Sequence, residues 1–371
     1  MKNPYIVALY PDIPDADTRP AEDLLKLSGK NLGNFMFCSS GRRFIRTTTQ
    51  TNRQSIDLKV VRRECDGIVI MAANWMQPHH DFTGLADRVI AADLPTVILG
   101  IGAQTPDEKI RDLHPGMVKF LKAVSERSHS IAVRGEFSAK VLEHHGIHNA
   151  VVTGCPSLLW HMRHSAAVTR LPKPGQIGRV SVNGTLPDQV NPDRVEKRMA
   201  FTSFLLREAM AKGWDYVAQT ELTLMQGARG EITDPTDDRH DYLRHVFDTD
   251  DNARIAAWLK RHLRAFGNIP EWLTYAANQD FIIGTRLHGV IAGLLAGTPS
   301  MLITHDSRTR EMAAHAGIPQ IDVDDLMAEG SIDPEALIRR CDFTQFNAVQ
   351  RNYFNTYMGT SINCPTRHTA V

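Results

Sequence analysis

The stretch Phe281–Pro299 reads FIIGTRLHGVIAGLLAGTP. Its opening run is apolar and stops at Gly284, the pattern of a strand buried on both faces. Thr285, Arg286 and His288 then stand where the next helix begins. That helix carries Gly289, Ala292, Gly293, Ala296 and Gly297, small enough to let it lie close on its sheet. In open parallel sheets, ligands bind beyond the carboxyl ends of the strands, where loops lead into helix N-termini. A helix N-terminus offers free N–H groups and partial positive charge, so it favours an anion. Arg286 adds a fork that can grip phosphate or carboxylate through two parallel bonds. His288 is placed to exchange a proton beside that anion. The plainer alternative is a solvent-facing arginine and a structural histidine; the strand-end context favours the ligand site.

The same grammar extends in both directions. Upstream, Gly67–Met71, Thr96–Gln104, Ser130–Arg134 and Ala150–Gly154 read as strands, with helices over LADRVIAA and EFSAKVLEHH between them. Gly146 suits the left-handed position that ends the second helix. Such alternation implies a mostly parallel sheet with helices on both faces. Thr169–Gly178, TRLPKPGQIG, holds two prolines and two glycines and reads as a linker. After it come strand RVSVNG, a long helix over Arg194–Lys212, strand YVAQT and an acidic irregular loop from Gly227 to Asp241. Helices NARIAAWLKRHLRAF and EWLTYAAN, strand SMLIT, helix RTREMAAHAG and strand PQIDV complete the pattern, and Asp333–Met358 reads as a helical tail. The expected organisation is residues 1–170, residues 171–330 and a helical segment 331–371 that packs back across them. The fold class is α/β, with two Rossmann-like domains whose parallel sheets face a cleft.

Length and charge agree with this. The 371 residues exceed one typical core. A hydrophobic fraction of 42% excludes wholesale disorder. Lys+Arg and Asp+Glu both number 42, which argues against a broadly basic nucleic-acid binder but leaves room for a local basic pocket. Cys38, Cys65, Cys155, Cys341 and Cys364 are scattered, with no C-x-x-C, so neither a disulfide framework nor a zinc ribbon is expected. The opening segment is too short and acidic for a signal peptide, and no run reaches membrane-spanning length. A cytoplasmic protein is the expectation.

Other residues invite functional readings. Arg134 follows a strand directly, where it could reach a ligand or pair with Glu136. Gly100–Thr105, GIGAQT, allows close backbone approach, but Thr105 stands where a dinucleotide fingerprint needs a third glycine. His79-His80-Asp81 and Asp234–Asp241 match no standard metal spacing, so no metal is expected. His144-His145 suits a helix C-terminus. Arg42-Arg43 could contact an acceptor or anion. Arg308 and Arg310 follow His305-Asp306 at another strand end, where they could face the same cleft, although a solvated helix start is the default.

Together these segments resemble the polysaccharide pyruvyl transferase family. Asn31-Leu32-Gly33-Asn34 is similar to its N-x-G-D, Gly100–Gln104 to its G-[VI]-G-[AS]-Q, and Ile131–Ser138 to its S-V-R-D-x-x-S. Gly284–Pro299 is similar to its G-x-R-L-H…A-x-x-x-G-x-P, and Thr153–Ser157 also resembles a family segment. Three departures stand out: Asn34 and Gly135 where the family has Asp, and Ala72-Ala73-Asn74 in place of a glycine-rich turn. The resemblance implies a glycosyltransferase-B-like pair of domains, with phosphoenolpyruvate as donor substrate and no cofactor. It places donor binding on Arg134, Arg286 and the Leu287 backbone N–H, and acid–base catalysis on His288. Asn31, Asn34, Gly102, Gln104 and His305 are further candidates for cleft or acceptor contacts. The implied partner is a sugar or polysaccharide precursor, with the protein peripheral to a membrane where that precursor is lipid-linked, and no nucleic acid is implied. Two other readings stay open: a nucleotide-sugar glycosyltransferase or epimerase on the same fold, and a catalytically degenerate scaffold in polysaccharide assembly.

Overall fold

The computed structural model describes residues 1–9, 13–49, 55–105, 109–162, 166–186, 192–234 and 236–361. Cys364 and Pro235 lie outside the described residues. Eleven strands are found among the described residues. The first five are β1 (Pro4–Val7), β2 (Gly67–Met71), β3 (Thr96–Leu99), β4 (Ile131–Val133) and β5 (Ala150–Val152). The other six are β6 (Val180–Asn183), β7 (Asp215–Val217), β8 (Leu263–Arg264), β9 (Phe281–Gly284), β10 (Ser300–Thr304) and β11 (Gln320–Asp322). β1, β2 and β3 pair in that order and β4 pairs with β5, all parallel. A single parallel bridge between Ile101 and Val133 brings the two groups side by side. The second sheet is parallel throughout, in the order β11-β10-β9-β6-β7-β8. The α/β class with parallel sheets is therefore the architecture found.

Alternation within the apolar strands explains their burial. In β2, Val69 and Met71 enter one core while Ile68 and Ile70 enter another on the opposite face. β1 and β3 divide in the same way, with Ile6, Val97 and Leu99 facing one core and Tyr5, Val7 and Ile98 the other. Successive side chains of a strand point to opposite faces, so a sheet covered on both sides needs apolar residues at every position. The first of these cores runs on through Phe35 and Tyr216 to Phe281, and so joins the two halves of the chain.

The Leu287–Leu295 helix is buried along its whole length. A Cβ added at Gly293 would lie 2.1 Å from Ser300 Oγ, so only glycine lets the helix settle this close to β10. The Thr344–Ser361 helix returns to the first half, where Tyr353 donates its hydroxyl hydrogen to Cys155 O at 3.1 Å.

Several boundaries differ from the sequence reading. Pro4–Val7 forms a strand that the sequence reading did not assign. The helix read through HLRAF stops at His262, because Leu263 and Arg264 pair with β7. The loop expected over Gly227–Asp241 is shorter, since helices occupy Leu222–Arg229 and Asp238–Phe247. Thr169–Gly178 contains no helix or strand, as its prolines and glycines imply. Among the described residues no helix is long and apolar enough to cross a membrane.

Candidate active site

Arg286 is the N-cap residue of the Leu287–Leu295 helix, at the carboxyl end of β9. Sheet order places the ends of β6 and β7 beside it, and their residues hold it. Its backbone N–H donates to Asn183 Oδ1 at 2.9 Å, and its Nε donates to Gly184 O at 2.9 Å. Nη2 donates to Thr220 Oγ1 and, at 3.1 Å, to Glu221 Oε1. Glu221 is 1% exposed, so its carboxylate is an anion taken out of water. Burial alone would push its carboxyl up. Arg286 and the backbone N–H groups of Gln219 and Thr220 outweigh burial and hold it below the usual range. One edge of the Arg286 fork is thus committed to the protein. Leu287 and His288 follow in the first helical turn, where N–H groups have no intrahelical acceptor.

His288 lies 8% exposed, with its ring stacked on Phe37 at 6.1 Å between centroids. Its Nε2 is 3.9 Å from Cys155 Sγ. Its Nδ1 faces Gly33. A Cβ built on Gly33 would sit 2.6 Å from His288 Nδ1, 2.5 Å from Gln219 Oε1 and 3.0 Å from Asn31 Oδ1. Three polar atoms from three separate segments therefore converge over one glycine, which explains why position 33 carries no side chain. Burial, then the guanidinium charges of Arg134, Arg308 and Arg286, hold His288 well below the ordinary imidazole range. The unliganded site contains a neutral imidazole in a positive field.

Arg134 follows β4 and is 2% exposed. It does not pair with Glu136. Nε donates to Gly100 O at 2.7 Å, Nη1 to Asn74 Oδ1 at 3.1 Å and Nη2 to Ala72 O at 3.3 Å. The guanidinium clamps the ends of β2 and β3 and lies 5.6 Å from the Phe37 ring centre. Gly102 packs against its stem. Gln104 joins the halves: it accepts from Asn74 Nδ2 at 3.3 Å and donates to Asp306 Oδ2 at 3.2 Å. His305 Nε2 and Arg308 Nη2 lie 3.6 and 3.7 Å from the same Asp306 oxygen.

The structure thus gathers Asn31, Gly33, Arg286, Leu287 and His288, with Arg134 behind them contributing its charge. Arg308 belongs to this basic group instead of being a merely solvated helix start, whereas Arg310 pairs with Asp322 at the surface. Asn34 turns away, donating to Ser28 O at 2.9 Å. Sequence reasoning missed Asn183, Gln219, Glu221 and Phe37. The signal for two of them was present, since Gln219 and Glu221 stand at the carboxyl end of the strand read as YVAQT. Burial pushes the Cys38 thiol up to about 12, which excludes it as a ready nucleophile. His144 pairs with Asp112 at 2.9 Å and His145 ends its helix. Asp81 bonds to Thr83 and not to His79 or His80. A separate cleft of about 800 Å³ is lined by Ser39, Arg42, Arg43 and Trp160 from the first half and Asn268 and Glu271 from the second. Arg43 lies over the Trp160 ring at 4.4 Å.

The model of the family described as polysaccharide pyruvyl transferase matches residues 8–307, most of the chain and every residue of this site except Arg308. The chain belongs to the polysaccharide pyruvyl transferase family. No curated protein matches the sequence. Similar solved structures include a Methanocaldococcus jannaschii UDP-GlcNAc 2-epimerase in complex with UDP-GlcNAc and UDP, 10% identical, covering 96% of this chain and 98% of that one, with a TM-score of 0.49. A functionally uncharacterized protein from Klebsiella pneumoniae is 8% identical over 86% of this chain and 93% of its own, with a TM-score of 0.41. A Rickettsia bellii UDP-N-acetylglucosamine 2-epimerase is 9% identical over 97% and 94%, again with a TM-score of 0.41.

One departure from the pyruvyl transferase pattern has a structural counterpart. Gly135, where the family has Asp, is the N-cap of the Glu136–His144 helix and offers no side-chain cap. Glu311, from the second half, supplies the carboxylate instead: its Oε1 accepts from the N–H groups of Phe137 and Ser138. A Cβ at Gly135 would lie 2.0 Å from Glu311 Cγ and Cδ, so the two side chains exclude each other. Gly135→Asp is expected to cost about 1–3 kcal/mol through overpacking. In a Glu311→Ala background it should instead stabilise slightly, by roughly a few tenths of a kcal/mol, because Asp can then cap its own helix. A double-mutant cycle on denaturant midpoints measures this coupling, and simple additivity would refute the exchange.

Proposed function

We propose that this pyruvyl transferase uses phosphoenolpyruvate to build a pyruvate ketal on a sugar of a cell-envelope or exopolysaccharide, or on its precursor. The observation that carries the reading is the convergence of Arg286, Arg308 and Arg134 around a buried neutral imidazole at a helix N-terminus. Phosphoenolpyruvate is small and strongly anionic, and such a field favours it over a neutral sugar. The free edge of Arg286 and the first-turn N–H groups serve as its anchors, while Arg134 acts through its charge and by fixing the strand ends.

The chemistry follows from proton placement. An incoming trianion offsets the arginine field and raises the affinity of His288 for a proton. The first acceptor hydroxyl attacks C2 of the donor, a proton reaches the methylene carbon, and the carbon–carbon double bond becomes a methyl group. Phosphate then leaves with its bridging oxygen, and a second hydroxyl closes the ketal and gives up its proton to phosphate. His288 is the group that relays the proton, and the arginines offset the charge that develops on the leaving phosphate. The cleft lined by Trp160, with charged groups of both signs, suits a hydroxylated acceptor. A donor of this kind places the reaction in the cytoplasm, beside the membrane where the acceptor is lipid-linked.

The direct test is an acceptor screen with phosphoenolpyruvate, read by phosphate release and by the mass of one pyruvyl ketal on the product. A chain that releases no phosphate with any acceptor, but turns over a nucleotide sugar, would refute the proposal.

A further inference from the structure

We propose that Gln219 is a ligand-contacting residue, whose buried Nε2 donates a hydrogen bond to an oxygen of the anionic donor; this rests on the phosphoenolpyruvate reading above. Gln219 follows β7, two residues before Glu221. Its backbone is fully engaged, because its N–H donates to Glu221 Oε2 at 2.8 Å and its carbonyl accepts from Leu32 N–H at 2.9 Å. The side chain is therefore fixed at its root, between the Asn31–Gly33 segment of one half and Arg286 of the other. It is 1% exposed, and its Nε2 has no hydrogen-bond acceptor among the described residues. Its Oε1 and His288 Nδ1 approach the same point over Gly33, at 2.5 and 2.6 Å.

A buried amide N–H without an acceptor is costly, and native proteins keep few of them. An apolar side chain of the same length would fill the space without that cost. The donor is explained if a ligand satisfies it. The surrounding charge identifies the ligand's chemistry: Arg286 is held by the two residues that follow Gln219, and His288 feels three guanidinium groups. An oxygen of a carboxylate or phosphate is the acceptor such a position selects. A neutral donor also adds directional recognition that the arginines, already bonded to the protein, supply only in part.

The test uses the full chain, with phosphoenolpyruvate as the titrated probe in calorimetry and thermal melts recorded without ligand. Gln219→Met keeps length and removes the donor, and Gln219→Glu keeps shape and adds negative charge. The expected result is at least tenfold weaker phosphoenolpyruvate binding for Gln219→Met, a larger loss for Gln219→Glu, and a ligand-free melting midpoint for Gln219→Met that is unchanged or higher. A lower midpoint with undiminished affinity would mark a packing residue and overturn the inference. If Gln219→Met does not fold, Gln219→Glu decides the matter, and binding as tight as the unsubstituted protein's overturns it. If the unsubstituted protein itself does not bind phosphoenolpyruvate, the donor reading fails first and this inference fails with it.

Discussion

Replacing Arg286 with alanine should do more than weaken donor binding; it should reverse the sign of the protein's pH dependence of stability at one residue. In the intact protein Glu221 titrates below its usual value of 4.5 because Arg286, together with the Gln219 and Thr220 backbone N–H groups and the Thr220 hydroxyl, outweighs burial. A carboxyl depressed in this way contributes stability that is fully present above 4.5 and is lost as pH falls. Without Arg286 the burial that remains raises the same carboxyl. The group then contributes no stability at neutral pH, and stability declines as pH rises from about 4.5 through the raised value. Leaving a buried charge unpaired costs about 3–5 kcal/mol. Denaturant unfolding of Arg286→Ala across pH 4–8 should therefore show a deficit that grows with pH. A deficit independent of pH would mean that Glu221 is not the group left behind. Arg286→Ala combined with Glu221→Gln should recover most of the stability without recovering phosphoenolpyruvate binding. That pair of results separates the arginine's structural work from its work on the ligand.

The parts of this site that the sequence disclosed share one property: their meaning is local. Phe281–Pro299 holds its strand, its turn and its helix within 19 consecutive residues, so apolar run length and the positions of Arg286 and His288 suffice to place them. Glu221 and Gln219 carry no such pattern. They lie 65 and 67 positions before Arg286, and only the sheet order β9-β6-β7 brings them to its side. Arg134 shows a different limit. Its residue type suggested a ligand, but its acceptors are two backbone carbonyls and one amide, and carbonyls leave no trace in residue identity. The β8 strand was hidden by the helical pattern before it, since Leu263 and Arg264 suit either structure until β7 offers an edge. Gly135 and Glu311 were each visible, yet their exchange depends on contact between the two halves.

Charge balance takes on meaning at this level too. Equal numbers of acids and bases exclude a uniformly basic surface, but Asp306 and Glu221 show how a neutral chain builds a positive pocket. Each acid pairs with an arginine and fixes its guanidinium, while both arginines still act on His288. Asp306 is itself held well below the carboxylate range: burial pushes it up, and Arg308, His305 and Thr309 more than offset that. The positive charge is thus anchored by buried anions and not by solvent, which keeps it in place before any ligand arrives.

His288→Gln should lower ketal formation by about 10²–10⁴-fold, the usual contribution of a positioned acid–base group. Phosphoenolpyruvate should still bind, because the arginines and the helix N-terminus remain. The sharper measurement is the pH dependence of that binding. His288 is neutral in the free protein, and burial with three guanidinium groups keeps it so. A bound trianion favours the imidazolium, so binding must take up a proton wherever the pH lies between the depressed free value and the raised bound one. By linkage, affinity then rises as pH falls through the bound value and levels off below the free one. The ligand's own phosphate also titrates, but that contribution is common to both proteins, so His288→Gln supplies the baseline. The difference between the two curves isolates the histidine. Full ketal formation by His288→Gln would remove it from the chemistry. Identical pH curves with lost turnover would leave it in the reaction but show that the donor does not bring it its proton. A proton taken up on binding and absent in the variant would identify the ligand's charge as the switch that turns a neutral imidazole into an acid.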